Sequence, residues 1–128
     1  MRDLDRQDFV LIERAKKAIR ACYGQSTSTT GAALRCASGN VYTGVDIAGR
    51  GGACAEVIAL GTARASGETG FECLVCVGGP ESDKILPPCG SCRELLLAHC
   101  PEVEVILHIG QTGAKKLDVR ELLPHAKL

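Results

Sequence analysis

Phe71-Glu72-Cys73-Leu74-Val75-Cys76-Val77 is apolar at every position except Glu72. That is the composition of a strand covered on both faces, not of one that alternates between core and water. Such a strand needs a helix on each side of its sheet, and the flanking sequence supplies them. Upstream, Cys54–Ser66 carries Val57, Ile58, Leu60 and Ala65 for packing, with Gly67 as a natural stop. Downstream, Pro87-Pro88 breaks the chain and Gly90–Cys100 reads as a helix, followed by a second buried strand, Val103–Ile109. Further out, Ala32–Ala37 and Val41–Ile47 read as strands joined by Ser38-Gly39-Asn40, turn chemistry suited to a hairpin. Residues 4–22 place Leu4, Asp8, Leu11, Ile12, Ala15, Ala18, Ile19 and Cys22 near one helical stripe, with Asp8 the polar misfit. Tyr23-Gly24 ends that helix, and Gln25–Gly31 is a polar loop. Asp118-Val119-Arg120-Glu121 has the form of a capping box for a short last helix, Val119–Leu123, ended by Pro124. This alternation predicts an α/β fold: a three-layer α/β/α sandwich with a mixed sheet of about five strands, residues 1–128 forming a single domain.

Charge and composition narrow the partners. Fifteen Lys and Arg balance fifteen Asp and Glu across 128 residues, and Phe9, Tyr23, Tyr42 and Phe71 are the whole aromatic complement. A nucleic-acid polymer would call for a basic face and aromatic platforms, so an enclosed small molecule is the expected ligand. No apolar run reaches the roughly 18–20 residues of a membrane span. The charged Met1–Arg20 segment does not resemble a signal peptide, which points to the cytoplasm. Thiols stay reduced there, so the eight cysteines call for packing, redox chemistry or metal.

Two Cys-x-x-Cys spacings occur, and they differ in context. Cys73 and Cys76 sit within a strand, where residues three apart face opposite ways, so they read as core filling. Cys89-Gly90-Ser91-Cys92 opens a helix after two prolines, where exposed amides and the helix dipole favour thiolates. Alone, this pair fits a redox motif, or half of a structural zinc site, equally well. Cys54-Ala55-Glu56 breaks the tie, because it too opens a helix and brings a third thiolate with a carboxylate two residues on. Three thiolates leave the fourth tetrahedral position of Zn²⁺ open, as catalysis requires. His99, His108 and His125 adjoin neither turn and are not expected as ligands. Three thiolates on Zn²⁺ carry a net negative charge, which two helix dipoles and Arg93 would partly offset.

Cys-Ala-Glu with Pro-Cys-x-x-Cys resembles the zinc-dependent cytidine deaminase superfamily. The all-cysteine form is similar to its small tetrameric branch, and to blasticidin S deaminases most of all. Tyr42–Val45, Gly51–Glu56, Leu60–Ala63, Pro88–Arg93 and Arg120–Pro124 carry the likeness. The resemblance implies one Zn²⁺ per subunit on Cys54, Cys89 and Cys92. It also implies that Glu56 moves protons from the attacking water to the ring nitrogen and then to departing ammonia. Ala55, through its N–H, and the carbonyls around Pro87 would orient the substrate, with Arg93 tuning charge, in a cytoplasmic homotetramer. Where cytidine deaminases hold ribose with Asn-x-Glu, this chain has Asp46-Ile47-Ala48, so Asp46 alone remains as a polar substrate contact. A cytosine nucleoside or blasticidin S type compound is the first substrate class, and a free base or another aminoheterocycle the second. A non-catalytic zinc protein and a thiol-redox protein are the competing classes.

Overall fold

The computed structural model describes residues 1–22, 27–78 and 84–123. In order these form α1 (Arg6–Arg20), β1 (Thr30–Cys36), β2 (Val41–Val45), α2 (Ala55–Ala65), β3 (Phe71–Gly78), β4 (Lys84–Ile85), α3 (Gly90–His99), β5 (Glu104–His108) and β6 (Ala114–Asp118), then a 3-10 turn, Val119–Leu122. The expected helix end at Tyr23-Gly24, part of the polar loop, Pro124 and His125 lie outside the described residues.

The sheet runs β2-β1-β3-β5-β6, with the short β4 paired to β3 off this path. Only the β3–β5 pair is parallel, so the sheet is mixed, as the alternation predicts. Six strands replace about five because β4 contributes two residues that carry no apolar run for a sequence pattern to show.

Strand alternation divides the core into two layers. Ala33, Cys73, Val75, Val77 and Ile106 face α1, whose Leu11, Ile12, Ala15 and Ile19 complete one cluster. Ala32, Leu34, Leu74, Cys76, Val105 and Leu107 face α2 and α3 and meet Ala55, Ala59, Ala63, Leu96 and Leu97. Cys73 and Cys76 therefore sit on opposite faces, as their spacing requires. Two glycines let the helices approach: a Cβ at Gly31 would stand 2.5 Å from the Ala15 carbonyl oxygen, and one at Gly44 would stand 2.6 Å from the Ala59 nitrogen.

The misfit Asp8 is resolved by its neighbours. It is fully buried and closes the capping box of α1 by accepting from the Asp5 N–H at 2.8 Å while Asp5 accepts from the Asp8 N–H at 3.1 Å. Lys116 of β6 reaches it at 2.8 Å and Arg35 of β1 at 3.1 Å. Burial alone would raise this carboxyl, but Lys116, the Asp5 amide and Arg35 together hold it below the usual carboxylate range. At the other end of the chain the Asp118 capping box forms as the sequence predicts, although the element it starts is a 3-10 turn and not an α-helix. The element is four residues long, the length at which 3-10 geometry is ordinarily found.

Candidate metal centre and active site

Both expected helix starts are present, and in each the cysteine is the N-cap: Cys54 for α2 and Cys89 for α3. The two ends are brought together by separate devices. Cys54 is delivered by a small turn in which Ile47 and Ala53 exchange backbone hydrogen bonds of 2.9 and 3.0 Å. Cys89 is delivered by β4, since Ile85 pairs with Val77 and the Leu86 N–H then donates to the Cys76 carbonyl at 2.8 Å. That pairing aims Pro87-Pro88 back over the sheet, with Pro88 buried and Pro87 exposed.

The Sγ atoms of Cys54, Cys89 and Cys92 all lie within 4.8 Å of one another. Cys54 and Cys89 are 3.9 Å apart, against about 3.8 Å between sulfurs on a tetrahedral Zn²⁺ with bonds of about 2.3 Å. The three sulfurs are therefore close enough to share one ion, with the Cys54–Cys89 pair already near its tetrahedral spacing. Among the described residues this is the one set of three or more His, Cys, Asp or Glu side chains close enough to share a metal. His99 and His108 are exposed and take no part.

The thiols differ in surroundings. The Cys92 N–H donates to Cys89 Sγ at 3.4 Å and is the foremost cause holding the Cys89 thiol below its ordinary value. Cys92 is buried, and burial pushes its thiol up, with the Cys89 contact and the Glu56 charge adding to it. Cys54 is lowered by contact with Cys92, yet burial, Cys89 and Glu56 leave it raised overall. Crowded thiols and a carboxylate disfavour further negative charge, which a divalent cation at their centre relieves.

Glu56 sits in the first turn of α2, only 5% exposed, one residue after the fully buried Ala55. Beneath it lies Cys76, whose thiol is raised chiefly by burial and then by the charge and hydrogen bonding of Glu56. Cys76 is thus a neutral thiol in the floor of the site as well as a core residue. Its position on the α2 face of β3 is the signal that strand periodicity offered for this.

Arg93 has a different set of partners from the thiolates beside it in sequence. Its Nε donates to the Pro88 carbonyl at 2.8 Å and a terminal nitrogen donates to the Leu122 carbonyl at 3.2 Å. The guanidinium therefore ties the loop before Cys89 to the C-terminal turn. Asp46 is likewise engaged: its Oδ1 accepts from the Thr29 and Thr30 N–H groups, each at 2.8 Å. Nothing in the local sequence marks those two amides as its partners, since they stand 17 and 16 positions earlier in the chain.

A family model described as the cytidine and deoxycytidylate deaminase zinc-binding region matches residues 5–110. The chain is 33% identical over 131 residues to a blasticidin-S deaminase of Bacillus cereus, covering 95% of this chain and 93% of that protein. It is also 33% identical over 128 residues to a cytidine deaminase of Halalkalibacterium halodurans, covering 96% and 94%. Among solved structures, cytidine deaminase from Mycobacterium leprae superposes with a TM-score of 0.76 at 27% identity, over 94% of this chain and 100% of that one. The Burkholderia pseudomallei cytidine deaminase gives 0.74 at 30%, over 97% and 100%.

Proposed function

The chain belongs to the cytidine and deoxycytidylate deaminase zinc-binding family, and from that premise we propose that it hydrolyses the ring amino group of a small cytosine-containing compound to a carbonyl, releasing ammonia. The observation that carries this reading is the three-thiol cluster on two helix starts with the buried carboxylate of Glu56 beside it. Cys54, Cys89 and Cys92 would hold one Zn²⁺ per subunit. A zinc ion there supplies Lewis-acid activation of a water nucleophile at neutral pH.

The chain's own residues would do the rest. Glu56 accepts a proton from the attacking water at a carboxylate oxygen and passes it to the ring nitrogen beside the amino-bearing carbon. It then delivers a second proton to the departing amine. A carboxylate suits this task because it accepts and donates in turn, and its burial excludes competing water. The Ala55 N–H and the carbonyls around Pro87 would orient the ring, and Arg93 would steady the loop that carries Cys89 through its bond to the Pro88 carbonyl.

Release of ammonia by zinc-loaded protein from cytidine, deoxycytidine, blasticidin S and cytosine tests the proposal. Turnover of any of them supports it; zinc binding without turnover across a wider set of aminoheterocycles overturns it in favour of a structural zinc protein. A second reading, a free base or another aminoheterocycle as substrate, is favoured by one feature. Ala48 offers no polar group where the family's sugar-binding glutamate would stand. We also infer a single domain, a homotetramer and a cytoplasmic setting, as expected of small deaminases of this kind. No helix among the described residues is long and apolar enough to cross a membrane. Sedimentation of the zinc-loaded protein checks the assembly.

A further inference from the structure

The rim of the site carries a charge that neither the cysteines nor Glu56 account for. Asp46 follows the last residue of β2, and the antiparallel bridge between Ile47 and Ala53 sets it opposite Cys54 in register. Cross-strand neighbours project from the same face. The Thr29 and Thr30 amides fix Oδ1 at 2.8 Å each, and the Ser28 hydroxyl anchors the Asp46 carbonyl at 2.5 Å. The Thr30 side chain is a further hydrogen-bond partner of this carboxylate. Burial pushes the carboxyl up, but the Thr30 and Thr29 amides more than offset it and keep Asp46 ionised. Its charge is felt at Cys76, in the floor beneath Glu56. Arg50 at the tip of the turn and Lys84 on β4 are both exposed, and among the described residues neither forms an ion pair with Asp46.

In a cytosine ring the amino-bearing carbon and N1 are opposite corners. With the amino carbon at the cysteine cluster, a substituent on N1 points away from Glu56 toward the rim. We propose that Asp46 selects substrates by charge: it favours cytosine-type rings whose N1 substituent is cationic and disfavours those whose substituent is anionic, phosphate esters included. The inference rests on the deaminase reading above and narrows it. An ionised aspartate only accepts hydrogen bonds, whereas an asparagine at this place would also donate, so an anionic substituent meets repulsion and gains no donor. Three thiolates on a divalent ion and the Glu56 carboxylate add charge of the same sign, so the pocket as a whole repels anions.

Three matched probes test this: 1-(2-aminoethyl)cytosine, 1-(2-hydroxyethyl)cytosine and 1-(carboxymethyl)cytosine. Ammonia release by the zinc-loaded protein gives kcat/KM for each, and calorimetry on Glu56→Gln protein gives binding without turnover. The expected order is cation, neutral, anion, with roughly tenfold between steps at low salt and less at high salt. In Asp46→Asn, whose side-chain oxygen still accepts from Thr29 and Thr30, the cation-to-anion ratio should fall by about tenfold or more in both readouts. Equal ratios in the two proteins would overturn the inference while leaving the deaminase reading intact. Charge-ordered binding that Asp46→Asn flattens, without turnover of any probe, would uphold the inference and overturn the reaction. Neither binding nor turnover would overturn both.

Discussion

Replacing Asp8 with alanine removes the one carboxylate that, among the described residues, meets both Lys116 and Arg35 inside the α1 layer. Lys116 is 2% exposed and Arg35 11% exposed by side chain, and without Asp8 they keep only the more distant, exposed carboxylates of Asp5 at 3.7 Å and Glu72 at 3.4 Å. The two contacts are unequal. Lys116 approaches Oδ2 at 2.8 Å, whereas the 3.1 Å approach of Arg35 to Oδ1 is too oblique for a hydrogen bond. Breaking a buried ion pair from one side costs about 3–5 kcal/mol, because the remaining charge is left in a poor solvent. Loss of the capping box removes about 1 kcal/mol more. Against a typical stability of about 5–15 kcal/mol, the Asp8→Ala protein should be at the edge of folding, with Tm lowered by about 10–20 °C. Urea melts at several pH values supply the sign. The folded carboxyl sits below the ordinary aspartate value, so its contribution is whole above about pH 4 and fades as pH falls through the folded value. The wild-type advantage over Asp8→Ala should therefore shrink in acid. A cost below about 1 kcal/mol at pH 7, or an advantage independent of pH, would refute the buried network as a stabilising element. Asp8→Leu combined with Lys116→Met should recover part of the loss, since an apolar replacement strands one cation fewer.

Other consequences are local and separable. Gly44→Ala should cost about 1–3 kcal/mol in urea melts and lower kcat, because its Cβ would push on the backbone of α2 where that helix carries Glu56. Cys92→Ser should abolish stoichiometric zinc by atomic absorption, whereas Cys73→Ala, on the opposite face of β3, should keep zinc and lose only about 1 kcal/mol of stability. Arg93→Ala forfeits the bonds to the Pro88 and Leu122 carbonyls, worth about 2 kcal/mol together, and should speed zinc loss to a chelator while leaving stoichiometry at one.

How much of this was legible in the sequence depends on how local each cause is. The β3 run, the hairpin, the helix starts at Cys54 and Cys89 and the opposed faces of Cys73 and Cys76 all follow from periodicity and capping, which act within a few residues. Asp8 looked like an error on an apolar stripe because its justification lies on β1 and β6, 27 and 108 positions away in the numbering of Arg35 and Lys116. β4 escaped because two residues make no pattern, yet it aims Cys89. Arg93 is expected from its sequence position to offset thiolate charge, but the hydrogen bonds it makes go to the Pro88 and Leu122 carbonyls, which only the folded chain brings near. Asp46 follows the same rule, since the two amides that bind its carboxylate lie 17 and 16 positions away in the chain.

The central claim is that three cysteines and Glu56 form one catalytic unit, and it is tested most directly by assaying zinc-loaded wild-type and Glu56→Gln proteins together for metal content and ammonia release from a cytosine-type substrate. The expected result is one zinc per chain in both proteins and turnover reduced by about 10²–10⁴-fold in the variant. Equal turnover in the two, or full turnover in protein stripped of zinc, would contradict the account.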